Sequence, residues 1–123
     1  MDATESLILT VSVTSSTLLG GGIAAIMPRM VGDEPNAIVG IRTRATQSSD
    51  KAWQLAHQVS QPILRGTVCT AAVGLFIQLV TGVVTGFASV ASSFAAVAVA
   101  VLTFSVLIYA GFKGDAAARS LNR

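Results

Sequence analysis

From Gly66 to Phe112 the chain runs for 47 residues without an Asp, Glu, Lys, Arg or His. Wound into helix at about 1.5 Å per residue, that run is roughly 70 Å long, about twice the hydrocarbon thickness of a bilayer. It therefore reads as two crossings joined by a short turn. The reversal falls in "GFASVASS", Gly86 to Ser93, which predicts helices at about 66–85 and 92–112. A second charge-free run, Leu7 to Met27, is 21 residues long and predicts a third crossing at about 7–27. Asp2 and Glu5 stand ahead of it. A secretory signal would have a basic leader and a shorter apolar stretch there, so this segment is expected to stay in the mature chain. The fold class that follows is an all-α integral membrane protein with three transmembrane helices in a single domain, 1–123.

Composition narrows the function classes. Charged residues make up 11% of the 123, against roughly 25% in soluble domains. A net charge of +2 in so apolar a chain gives no continuous basic footprint, which excludes nucleic acid as a partner. With one cysteine, Cys69, and one histidine, His57, the chain has no intrachain disulfide and no metal-ligand set, and no cofactor is expected.

The basic residues set the expected orientation. Arg29, Arg42, Arg44, Lys51 and Arg65 fall between the first and second crossings, and Lys113, Arg119 and Arg123 follow the third. Because basic loops are retained on the cytoplasmic side, the 28–65 loop and the 113–123 tail are expected inside, with the N-terminus and the 86–93 turn outside.

Within the loop, Pro28 is expected to end the first helix, and Gly32, Pro35 and Asn36 to begin an irregular segment. "QSSD", Gln47 to Asp50, resembles a helix start, with Ser48 or Ser49 as the capping acceptor. A short helix at about 49–61 would follow, closed or kinked by Pro62. Its Ala52, Leu55, Ala56, Val59 and Ile63 recur at helical spacing, so it is expected to lie as an amphipathic helix on the membrane surface. Trp53 suits that interfacial layer, and His57, one turn on, shares its face.

Gly40-Ile41-Arg42-Thr43, then Thr46, Ser48, Trp53 and His57, resemble the signature of the SdpI family of bacterial membrane proteins, roughly G-I-R-T-x-x-T-x-S-x-x-x-x-W-x-x-x-H. Asn36 sits where that family commonly has an Asn. The chain departs from the pattern at Arg44-Ala45, where many members have Pro-Trp, and it lacks the additional spans of larger members. The resemblance implies a protein of the bacterial inner membrane that binds other proteins. The family's named activity is immunity to a secreted peptide toxin, coupled to holding a repressor at the membrane. With so little surface expected outside, an accessory subunit of a larger membrane complex, respiratory or envelope, is the first expectation and immunity the second. A small transporter or lipid-modifying enzyme ranks last, since no nucleophile and carboxylate accompany His57 and no charged residue lies within a span.

Arg42 and Arg44, with Lys51, can grip anionic lipid headgroups or an acidic partner, or serve topology alone. Arg42 is expected to bond loop carbonyls or Asp50, and His57 to bond loop backbone or Ser48, with a proton-sensitive switch or ligand role for His57 as the second reading. Small residues at four-residue spacing, Ser12, Ser16 and Gly20 in the first crossing and Gly82 and Gly86 in the second, are expected to pack helices closely. They extend over more faces than three helices cover, which points to self-association or to another membrane protein. Gln78 is expected to bond a Ser or Thr of the first helix.

Overall fold

A computed structural model describes residues 1–121. Three helices follow one another, α1 (Ala3–Met30), α2 (Asp50–Thr85) and α3 (Val90–Ser120), and each is long and apolar enough to cross a membrane. Their outer surfaces carry the large apolar side chains: Leu18, Val73, Phe76, Val84, Phe94 and Leu102 are all more than half exposed. The positions between helices are small or hydroxylic, among them Thr10, Thr17, Gly20, Gly21 and Ala24 of α1, and Ser92, Ala96 and Thr103 of α3. Such an apolar exterior would aggregate in water; surrounded by lipid it is the stable arrangement.

Each helix begins on a side-chain cap. Asp2 accepts from the Glu5 N–H while Glu5 reaches back to the Asp2 N–H, closing a capping box that satisfies two otherwise free donors. Ser49 caps α2 by accepting from Ala52, and Ser89 caps α3 by accepting from Ser92. Ser48, the alternative cap, bonds the Ala45 carbonyl instead.

Pro28, expected to end the first helix, sits in the last turn of α1, and Pro62, expected to close or kink the short helix, lies inside the first half of α2. The separate interfacial helix is accordingly not present: 50–61 continues through Pro62 into the second crossing as one helix of 36 residues. Pro62 removes one backbone donor, a loss that packing on the surrounding turns outweighs. Ala52 and Ala56 of the expected stripe are buried against protein together with Trp53, Ser60 and Leu64, whereas Leu55 and Ile63 are half-buried and Val59 is exposed.

The third helix also exceeds its expected length. It continues through Lys113 to Ser120, and Gly114 and Ala118 of the expected tail are buried. Ala118 packs with Ala52 and Ala56 of α2. The last two tail residues, 122 and 123, lie outside the described residues.

The small-residue stripes divide. Gly20 is buried beneath Phe104 of α3, and Gly82 is buried beneath the ring of Phe87. Ser12 and Ser16 point away from the other two helices, the Ser16 hydroxyl donating to the Ser12 carbonyl within α1. The stripe that α1 buries runs instead through Thr10, Thr17, Gly20, Gly21 and Ala24. Gly86 packs no helix: at φ +94 it ends α2 and begins the turn, a conformation that glycine adopts without strain.

Candidate functional site

The irregular segment 31–49 folds back over the N-terminal half of α2, and the motif side chains are what hold it there. Irregular backbone leaves N–H and C=O groups without helical partners, and when buried these must be bonded. Asn36 begins the work: its Oδ1 accepts from Ile38 N at 3.0 Å and Val39 N at 2.7 Å, and its Nδ2 donates to the Val31 carbonyl at 3.0 Å. Arg42 Nε donates to the Asn36 carbonyl at 2.9 Å, and its Nη2 reaches Gln47 Oε1 at 3.5 Å. The guanidinium thus bonds a loop carbonyl, with no contact to Asp50.

Trp53 is fully buried beneath this loop. Its indole N–H points at the Val31 and Gly32 carbonyls, 3.2 Å from each, and ties the end of α1 to α2. One turn later His57 lies against the indole, ring centroids 4.3 Å apart. The Ile41 N–H donates to His57 Nε2 at 2.8 Å, so that nitrogen carries a lone pair. The hydrogen therefore sits on Nδ1, which donates to the Trp53 carbonyl at 2.7 Å. Burial pushes the imidazole below its ordinary pKa, partly offset by the bond to the Trp53 carbonyl. His57 precedes the charge-free stretch that crosses the membrane, and both of its nitrogens are committed to backbone.

Gly40 makes this approach possible. It has φ +120, and a Cβ there would stand 2.7 Å from both His57 Nε2 and Trp53 Cη2. Ile41 is buried beside it, its side chain against Gly114 of α3, where an added Cβ would lie 2.7 Å from Ile41 Cδ1 and 3.1 Å from the Ala56 carbonyl. Thr46, also fully buried, donates to the Ile41 carbonyl at 2.6 Å and accepts from the Thr43 N–H at 2.9 Å. The Thr43 hydroxyl bonds the Asp115 carboxylate, which pairs in turn with Arg119 at 2.8 Å. Ser48 stands apart, exposed, on its local bond to Ala45.

The motif residues Asn36, Gly40, Ile41, Arg42, Thr43, Thr46, Trp53 and His57 thus form one connected bracket over α2. Sequence reasoning missed its α3 side, Gly114 and Asp115. Their only signal was a glycine followed by an acid in a stretch that resembles a free tail. It missed Gln54 too, whose amide donates to the Asp33 carbonyl at 3.1 Å. Beside the bracket lies a cavity of about 370 Å³ lined by Arg29, Gln54, His57, Gln58, Gln61 and Leu64 among others. No group of three or more His, Cys, Asp or Glu able to hold a metal ion occurs among the described residues.

Three long apolar helices and a basic loop stitched onto the second of them define a multi-pass membrane protein. The description of the SdpI/YfhL protein family matches residues 33–112, more than half the chain, and the chain belongs to that family. No curated protein and no solved structure matched it.

Proposed function

We propose that this chain is a non-enzymatic accessory subunit of a larger assembly in the bacterial inner membrane, with its N-terminus outside and its bracketed loop and C-terminus in the cytoplasm. The observation that carries the reading is how the motif spends its polar groups. The Trp53 indole, both His57 nitrogens and the Thr46 hydroxyl all bond backbone, leaving none aimed at a reactant. What the bracket presents outward is charge: Arg42, Arg44 and Lys51 are exposed, and none forms an ion pair among the described residues. These suit an acidic surface of a neighbouring membrane protein and anionic headgroups, each basic group contributing about 1 kcal/mol near a negative leaflet. The cavity beside Arg29, Gln58 and Gln61 gives such a headgroup a recess.

Purification in mild detergent tests this. The expected result is co-migration with other membrane proteins that is lost when Arg44 and Lys51 are both changed to Glu. A free monomer carrying no other protein would overturn it.

Family membership supports a second reading, immunity to a secreted peptide with signalling to a repressor held at the membrane. It predicts that deleting the gene sensitises the producing cell to such a peptide, and unchanged killing would retire it.

A further inference from the structure

Gln54, Gln58 and Gln61 recur at i, i+4 and i+7, so three amides stand on one stripe of α2. That stripe forms one wall of the cavity of about 370 Å³ beside the bracket, and residues of the 27–33 segment form the other. The depth of the cavity follows from the register of the two helices. Gln78 bonds Thr14 and Gly21 lies against Ala71, so α1 and α2 run antiparallel and Arg29 comes level with the turn Gln61–Arg65. The charge-free stretch of α2 starts at Gly66, which puts the cavity at the edge of the crossing, where lipid phosphates lie. Its membrane-side end is apolar, formed by the buried Met27 and Leu64.

The polar groups around it are largely unpaired. Among the described residues Gln54 donates to the Asp33 carbonyl and His57 bonds backbone, while the side chains of Arg29, Asp33, Gln58 and Gln61 have no hydrogen bond or ion pair within the chain. This set specifies a ligand. Arg29 is the one cation of the lining and suits a phosphate oxygen. Asp33 stands in the same lining and repels a second negative charge, so a singly charged phosphodiester fits better than a doubly charged phosphomonoester. Each glutamine amide both donates and accepts, as a hydroxyl does; an ammonium group only donates, and a choline head does neither.

We propose that this cavity holds the headgroup of a phosphatidylglycerol-type lipid of the cytoplasmic leaflet, its phosphate on Arg29, its glycerol hydroxyls on Gln58, Gln61 and Asp33, and its acyl chains in the bilayer beyond Met27 and Leu64. The site deepens the headgroup contact of the reading above and rests on the cytoplasmic placement of the loop given there, but not on the docking of another protein.

The test uses the full chain, stripped of lipid in dodecylmaltoside and titrated with single phospholipids, bound lipid being counted by native mass spectrometry. Palmitoyl-oleoyl phosphatidylglycerol is expected to bind about tenfold more tightly than the phosphatidylcholine, phosphatidylethanolamine or phosphatidic acid of the same chains. Arg29→Gln is expected to weaken it about tenfold, the effect of one hydrogen bond to a charged group. Lys113→Gln, which removes a charge from α3 outside the cavity, should change it by about twofold or less. Gln58→Leu combined with Gln61→Leu should erase its advantage over phosphatidylcholine. Glycerophosphoglycerol, the same head without chains, should not displace it at equal concentration. Equal binding of all these lipids, displacement by the chain-free head, or equal losses in Arg29→Gln and Lys113→Gln would overturn the proposal. A monomer that carries the lipid but no other protein overturns the docking reading alone, and co-migrating proteins without the lipid overturn this one alone.

Discussion

Trp53, Thr46 and His57 at the basic end of the bundle are buried as deeply as Gln78 and Ser92 at the turn end, yet their polar atoms fare differently. At the basic end every one of these side-chain groups has a backbone partner. At the turn end Gln78 Oε1 and the hydroxyls of Ser6 and Ser92 have none. The cause lies in the backbone. The irregular segment 31–49 offers carbonyls and N–H groups that no helix consumes, and a buried donor or acceptor finds a fixed partner among them. Where three helices meet, nearly every backbone group is already used. Polar side chains there find one another, as Thr10 and Ser93 do at 3.0 Å, share a carbonyl that a helix already uses, as Thr17 does with Val13 and Ser93 with Ser6, or stay unpaired. One end is therefore built to hold a single shape, and the other retains unspent bonding capacity.

The largest effect that would break this contrast is expected from Gly40→Val. Backbone strain at φ +120 adds to the clash with His57 and Trp53, for a loss of about 3 kcal/mol or more. Thermal unfolding in detergent, together with protease cleavage within 31–49, measures it. A variant that keeps the parent's stability and protection would show that the bracket is loose.

Thr46→Val is expected to cost less, about 1–3 kcal/mol, because it leaves the buried Ile41 carbonyl and the half-buried Thr43 N–H without their partner. The same assay reads it, and Ser48→Ala is the control. The Ser48 hydroxyl is exposed and bonded only to Ala45, so its loss should fall within about 0.5 kcal/mol.

Between pH 7 and 5 the histidine chemistry lies at the basic end, because His57 is the one histidine in the chain. The folded state holds His57 neutral with a lowered pKa, so its stabilising contribution is complete above the ordinary histidine value, near 6.5, and falls away as pH drops toward the folded value. The proton would enter Nε2 and place two donors face to face with the Ile41 N–H. The unfolding temperature is therefore expected to decline between about pH 7 and 5, less steeply in His57→Gln. Parallel declines in the two proteins would remove His57 from the account.

How much of this could be read from the sequence follows the same divide. The three crossings were visible because the bilayer imposes its length on the chain as charge-free runs, and the motif was visible as fixed spacing. The continuity of α2 was not. Ala52 and Ala56 repeat at helical spacing whether they face lipid or protein, and only their meeting with Ala118, more than sixty residues away, decides it. The role of Asp115 was hidden for the same reason, since its bond to Thr43 joins segments that no local pattern connects. Ser12 and Ser16 kept the four-residue repeat of a packing face yet lie on the outside, because spacing defines a stripe without saying which stripe turns inward. Gln78 was legible as a polar residue bonded to α1; that one of its atoms stays unpaired was not.

The smallest change is expected at Gln78, and it is the sharpest measure of the contrast. In Gln78→Leu the bond to Thr14 is lost, and such interhelical bonds average only about 0.6 kcal/mol. The same substitution removes a buried acceptor that has no partner, which works in the opposite direction. Leucine is close in volume and sits beside Leu75 and Leu79, so no large void opens. The net shift should therefore lie within about 0.5 kcal/mol of zero, the sign depending on which contribution is larger. A loss comparable to that of Thr46→Val would mean that Gln78 is as fully bonded as the residues of the bracket, and the two ends of the bundle would no longer differ.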